Sequence, residues 1–191
     1  MRLIPACAII PFKERRDRMK YEKLESERLV LVKPEECYAE EILRAFDRET
    51  TRYMCPKADE TMEEVLGFLD FVQKGIEEMT SYNYALIVKE TGEFIGCGGI
   101  ENVQGPIAEF GIWIKKEAYH HGYGREAVQC LYEAARTCPE YEGFIYPVDR
   151  RNLSSRRIAE ALGGVCDETD VNFRLNGNGQ DLELITYHIR K

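Results

Sequence analysis

Gly122 and Gly124 break up the stretch His120-His-Gly-Tyr-Gly-Arg125, which lies between a largely apolar run at 107–114 and a segment of helical periodicity at 125–136. A strand, a glycine turn and a helix in that order aim the unpaired N–H groups of the helix N-terminus at one point, which favours an anion such as a pyrophosphate. No Gly-Lys-Ser/Thr follows, which argues against a nucleotide-cleaving P-loop. No third glycine stands three residues beyond Gly124, so the dinucleotide fingerprint fails as well. Glycines at this spacing also serve as loop punctuation, and it is the order of the flanking elements that favours an anion. Farther on, Asn152-Leu-Ser-Ser155 opens another helical segment with residue types that cap helix ends whatever their further role.

Composition narrows the partners. With 191 residues the chain fits one domain with a sizeable core. A net charge of −8 argues against a nucleic-acid binder, which would show a basic face, and is compatible with a cationic acceptor or simply with solubility. Seven scattered cysteines without a Cys-x-x-Cys pair, and three histidines, build no local zinc set; no metal is expected, and a reduced, cytoplasmic setting is. Cys97, within Ile95-Gly-Cys-Gly-Gly-Ile100, is either a reactive thiol or a small buried filler. Residues 1–23 differ from the rest, an apolar stretch with Pro5 and Pro11 preceding a charge-dense one, the reverse of a secretory leader. They are read as an N-terminal extension to a domain at 24–191. No apolar run approaches the length of a membrane helix.

The elements that must position these residues follow from periodicity. A strand is expected at 28–32 and a helix from Pro34 through about Arg48. Thr61-Met-Glu-Glu64 forms a capping box ahead of a helix with Val65, Leu69, Val72, Ile76 and Met79 on one face. Three strands at 82–89, 94–100 and 107–114 make an antiparallel meander. A helix at 122–136, a strand at 144–148, a helix at 154–162 and a hairpin of 171–175 with 182–189 around Asn176-Gly-Asn-Gly179 complete the chain. The order β-α-α-β-β-β-α-β-α-β-β describes a mixed α/β fold, one sheet with helices on both faces.

In this order the chain resembles the GNAT superfamily of acetyl-CoA-dependent N-acetyltransferases, and within it the RimJ/RimL branch of ribosomal-protein N-terminal acetyltransferases. The resemblance rests on Ser26-Glu-Arg-Leu-Val-Leu31, Glu109-Phe-Gly-Ile-Trp-Ile114, His120-His-Gly-Tyr-Gly-Arg-Glu-Ala127, and Asn152-Leu-Ser-Ser155 through Glu160-Ala-Leu-Gly163. It implies a central, mostly antiparallel, twisted sheet and acetyl-CoA as cosubstrate. The strand Ile112-Trp113-Ile114 would then offer backbone groups to the pantetheine arm. The turn His120, His121, Gly122, Tyr123, Gly124 and Arg125 would receive the pyrophosphate, with Asn152 and Ser155 nearby. Three positions depart from the superfamily's pattern: Tyr119 where Arg or Gln is frequent, His120 where glycine is frequent, and Ala159 where many relatives place an acidic tyrosine.

Acetyl transfer needs a neutral amine, a stabilised oxyanion and a proton for the departing sulfur. The resemblance implies Glu109 as the base, acting through water, and Ser155 as the group beside the sulfur; an ion-paired strand glutamate and a helix cap are the competing readings. The acceptor is a peptide N-terminus, a polyamine, an amino acid or an aminoglycoside, and the protein a monomer or homodimer. The alternative function is a non-catalytic acyl-CoA-binding regulatory module.

Overall fold

The period-two stretches assemble into one eight-stranded sheet, in the order β1-β2-β3-β4-β5-β6-β8-β7. The structure, a computed structural model, describes residues 20–191, so most of the expected N-terminal extension lies outside the described residues. The strands are β1 (Leu24–Glu25), β2 (Leu29–Val32), β3 (Ser81–Val88), β4 (Phe94–Glu101), β5 (Ile107–Ile114), β6 (Gly143–Asp149), β7 (Asn172–Leu175) and β8 (Asp181–Arg190). The helices are α1 (Ala39–Ala45), α2 (Met62–Glu78), α3 (Tyr123–Ala135) and α4 (Leu153–Ala161). Among the described residues no helix is long and apolar enough to cross a membrane.

The expected architecture is present, with one correction. The first helix does not run from Pro34 to Arg48: a 3-10 turn at Glu36–Tyr38 leads into the short α1, and another follows at Thr50–Tyr53. The Asp47 carboxylate explains the stop, because it accepts the N–H groups of Glu49 and Thr50 at 3.0 and 2.8 Å and so offers the backbone an alternative to the helix. β1, a two-residue strand beside β2, carries too little pattern to be read in advance.

Alternation along the strands divides the core. Tyr84, Leu86, Ile100, Ala108 and Phe110 face one way and pack with Val128 and Leu131 of α3 and Ala159 of α4. Ala85, Phe94 and Cys97 face the other way, against Ile42 of α1 and Val65 of α2. Each face thus removes apolar area from water independently, at roughly 25 cal/mol per Å².

All neighbouring strands are antiparallel except β5 and β6. That parallel pair is brief: Ile107, Ala108 and Glu109 align with Gly143, Phe144 and Ile145, and no further pair joins them. From Phe110 onward β5 keeps β4 on one side only, while β6 continues with β8. Pro147 lies two residues past the last pair; lacking an N–H, proline suits a strand that has become an edge on one side. A wedge-shaped cleft results, its vertex at Glu109.

The tip of the β7–β8 hairpin clasps the segment between α1 and α2. Asn178 Nδ2 donates to Thr51 Oγ1 at 2.9 Å and its Oδ1 accepts from the Ala58 N–H at 3.1 Å, while the Gly177 N–H donates to the Cys55 carbonyl at 2.9 Å. A Cβ on Gly177 would stand 2.5 Å from the Lys57 nitrogen. Gly177→Ala is therefore expected to destabilise the fold by about 1–3 kcal/mol, with faster amide hydrogen exchange concentrated at residues 51–58. Unchanged exchange there would show that the clasp does not hold the segment.

Candidate active site

After β5 the chain makes a 3-10 turn at Lys116–Ala118 and enters α3 through residues 119–122. Two residues there take left-handed backbone conformations, His120 with φ +65° and Gly122 with φ +78°. The glycine does so freely; the histidine is held against its own preference. No side chain caps α3, whereas α2 is closed by the Thr61–Glu64 capping box and α4 by Asn152, whose Oδ1 accepts from the Ser155 N–H at 3.1 Å. The first N–H groups of α3 thus remain available to an anion. A Cβ on Gly124 would press on Ile158 Cδ1 at 3.3 Å, so this glycine lets α3 begin in contact with α4 and the end of β5.

The turn is anchored by residues the sequence reading did not single out. Arg28 donates from its backbone N–H and its Nε to Glu126, both at 2.7 Å, and from Nη1 to the His121 carbonyl at 3.0 Å. Its guanidinium lies 4.7 Å from the Tyr123 ring centroid, and Ser26 Oγ donates to the same carboxylate at 2.7 Å. Burial pulls the Glu126 carboxyl upward, yet the hydrogen bonds from Ser26 and Arg28 outweigh it and hold it below the usual carboxylate range. Arg125, the expected cation, is exposed on the first turn of α3. Arg28 is the cation that orders the loop.

Within the cleft, Ile112, Trp113 and Ile114 occupy the part of β5 that has left β6. Ile112 and Ile114 pack toward α3 and α4, and Trp113 toward α1 and α2, with Phe46 at 5.0 Å between ring centroids. Glu109 stands at the vertex, half-buried. Its register partner is Glu101, a second carboxylate at the end of β4. Burial first, and then the Glu101 charge, raise the Glu109 pKa, with Arg174 opposing; burial likewise raises Glu101, opposed by the Asn83 amide, which donates to Glu101 Oε1 at 3.2 Å. Over this face lies a cavity of about 440 Å³ between the sheet, α1 and α2, reaching Gly111, Ile112 and Trp113. Cys97 also lines it, but the thiol is 3% exposed and burial pushes its pKa up, the environment of a packed filler.

Ser155 lies across the sheet from Glu109, on α4. Its hydroxyl and that of Tyr146 are 2.8 Å apart, and burial pushes the Tyr146 phenol up to about 12, with Ser155 opposing. Glu109 and Ser155 therefore do not share a face; the cleft is what opens toward both. Ala159 is wholly buried against α3, a setting without room for a tyrosine ring. Of the residues missed by sequence reading, Glu101 had a legible signal, since it and Glu109 are equidistant from the turn centred on Gly105. Tyr146 had none, because a tyrosine in an apolar strand looks like core.

A family profile described as an acetyltransferase (GNAT) domain matches residues 28–165. Similar solved structures include RimL, a ribosomal L7/L12 alpha-N-protein acetyltransferase in complex with coenzyme A, with a TM-score of 0.74, 13% identity, and 88% of this chain and 98% of that one covered. A GNAT-family acetyltransferase from Bacillus anthracis aligns with a TM-score of 0.73 and 19% identity over 88% of this chain and 98% of its own. The microcin C7 self-immunity acetyltransferase MccE, in complex with acetyl-CoA and AMP, gives 0.73 and 14% over 87% and 94%. At these identities the likeness concerns the fold. No curated protein sequence matches the chain.

Two stability measurements check this geometry. His120→Gly removes a side chain from a left-handed backbone but adds freedom to the unfolded chain, so a gain of up to about 1 kcal/mol, read as a higher Tm, is expected; a lower Tm would mean the imidazole itself holds the turn. Glu101 and Glu109 have folded-state pKa values raised above their unfolded values, so the folded state binds more protons and stability falls as pH rises through that window. Glu101→Gln or Glu109→Gln should remove part of that decline and raise Tm at neutral pH, by less than about 1 kcal/mol given their partial exposure. An unchanged pH dependence would contradict the carboxylate pair.

Proposed function

The chain belongs to the GNAT acetyltransferase family, and on that premise we propose that it transfers the acetyl group of acetyl-CoA directly to a primary amine in the cleft between β5 and β6. The domain assignment makes it an acetyltransferase; the amine acceptor, the direct mechanism and the residue roles are the proposal. The observation that carries it is the conjunction of a strand pair that parts at Glu109 with an uncapped helix beginning beside the same cleft.

Acetyl-CoA, when bound, supplies an activated thioester. The residues present fit it. The free edge of Ile112, Trp113 and Ile114 would hold the pantetheine arm by backbone hydrogen bonds, and the N–H groups from His120 to Arg125 would hold the pyrophosphate without demanding particular side chains. Asn152 sets the first turn of α4, so that Ser155 meets Tyr146. If Tyr146 donates to Ser155, the serine's own proton is free to point into the cleft. A thiol of pKa about 8.5 leaves as a thiolate that is tolerable near neutrality, so a hydrogen bond from Ser155 suffices to assist it.

Glu109 takes the amine's proton, directly or through one water. Burial and the neighbouring Glu101 make it a stronger base than an ordinary glutamate. An α-amine of pKa about 8 is roughly a tenth neutral at pH 7, whereas a lysine of about 10.4 is neutral less than once in a thousand. The α-amine demands less of the base. Cys97, with its pKa raised by burial, is a poor nucleophile, which supports direct transfer over a covalent enzyme intermediate. The catalytic domain in this reading is residues 24–191, on the RimJ/RimL pattern.

Thiol release from acetyl-CoA in the presence of an amine tests the proposal. Glu109→Gln should lower kcat by about 10²–10⁴-fold and Ser155→Ala by about tenfold, both with the affinity for acetyl-CoA retained. The active form carries the ionised carboxylate, so the wild-type rate should fall as pH drops through a pKa above the ordinary glutamate range, and this limb should vanish in Glu109→Gln. Tight coenzyme binding with no amine-dependent release, unaltered in both variants, would identify a binding module instead.

A further inference from the structure

The cavity over the α1–α2 face has walls and a charge that are not those of a general amine site. Phe46, Met54, Phe68, Phe71, Ile112 and Trp113 line it, and the Phe71 side chain is left 53% exposed at its rim. Large aromatic groups left in water on a concave surface mark a site that gains by being covered. Polar groups are few. Asp59 and Glu101 are acidic, while Lys57, the one cation among the lining residues, is engaged by the Glu64 carboxylate.

Glu101 is the anion best placed at the floor. The Asn83 amide donates to one of its oxygens at 3.2 Å, and Ser81, its register partner on β3, adds a hydroxyl that favours the charged carboxylate. The same Asn83 side chain fills the space above Gly99, where a Cβ would come within 2.6 Å of its Oδ1. Gly111, the register partner of Gly99, has nothing within 4 Å of where a Cβ would stand. Gly111 leaves bare backbone between Glu109 and the Trp113 wall, so a group seated on Glu101 lies beside both the apolar surface and Glu109.

Building on the acetyl transfer proposed above, we infer that the acceptor is a monocationic primary amine whose nearest substituent is a bulky apolar group, its ammonium seated on Glu101 and its apolar body against the Phe46–Phe68–Trp113 wall. An acceptor with a carboxylate or phosphate close to the amine would meet Glu101, Glu109 and Asp59. A polyhydroxylated amine would bury hydroxyls against aromatic rings that offer no partner. Glu101 acts as the specificity residue and Glu109 as the proton acceptor. In the step itself the ammonium gives one proton to Glu109, the freed nitrogen lone pair bonds to the acetyl carbonyl carbon, and the carbon–sulfur bond breaks. The sulfur leaves with that bonding pair, and the nitrogen's second proton passes to it, so that an amide, a free thiol and a protonated Glu109 result.

The test compares 2-phenylethylamine and a peptide beginning with Phe against ethanolamine, a peptide beginning with Ser, spermidine, kanamycin and free glycine. It uses the full chain, with acetyl-CoA affinity measured separately by calorimetry. The apolar amines should exceed their polar counterparts at least about tenfold in kcat/KM, and the two apolar arms decide whether the source is a free amine or a chain N-terminus. Glu101→Gln should raise the amine KM about tenfold or more with acetyl-CoA affinity unchanged and shift the acidic limb of the rate to lower pH, because the Glu101 charge helps raise Glu109, with Glu101→Asp recovering part of the loss. If acetyl-CoA binds and a polar, acidic or polycationic acceptor is preferred, if no apolar amine is acetylated, or if Glu101→Gln leaves KM unaltered, the inference is overturned while the coenzyme site stands. If acetyl-CoA does not bind at all, the transferase reading fails and takes the inference with it.

Discussion

The site depends on where one ladder of hydrogen bonds stops. Had β5 and β6 remained paired along their length, Phe110 to Ile114 would be interior strand, with backbone groups satisfied on both sides and no entry for a ligand. Instead the parallel pairing ends at Glu109 and Ile145. An unpaired stretch inside a sheet is unfavourable unless something else pairs with it, so this edge leaves backbone N–H and C=O groups open to a partner. The remaining features place chemistry around it: α3 begins beside its far end, α4 and Tyr146 flank it on one face, and the carboxylates and the cavity lie on the other.

Several local rules are broken together around that cleft. Helices α2 and α4 are capped and α3 is not. His120 takes a backbone conformation that favours glycine, and two glutamates stand opposite each other partly buried. Each is unfavourable to the fold alone, and each is held by surroundings that over-determine it. The Arg28–Glu126 contact ties the start of β2 to the first turn of α3, which keeps the turn at residues 119–122 in place while the first N–H groups of α3 stay uncapped. The hairpin clasp on residues 51–58 does the same for the cavity wall, where the short α1 could not. Rigid supports around an unsatisfied centre leave the centre free to bind.

What could be read from the sequence follows from the range of the interactions involved. Periodicity and caps are local, so the meander, the Thr61 capping box, the glycine turn and Asn152 at the head of α4 were legible, as was the order of elements. The early end of α1 was not, because it turns on one carboxylate, Asp47, competing for backbone N–H groups. The partners of site residues were legible least. Arg28 meets Glu126, Tyr146 meets Ser155, and Asn83 meets Glu101, contacts that only the folded sheet creates. Glu109 and Ser155 were singled out together, yet nothing in their spacing shows that they approach the cleft from opposite faces.

The proposed function stands or falls with the gap between β5 and β6 as the coenzyme site. A crystal structure of the chain with coenzyme A tests it most directly. The pantetheine arm is expected bonded to the β5 backbone at Ile112–Ile114, the pyrophosphate on the N–H groups of residues 120–125, and the sulfur within hydrogen-bond reach of Ser155. Coenzyme bound elsewhere, or β5 and β6 closed on each other with the turn empty, would contradict it.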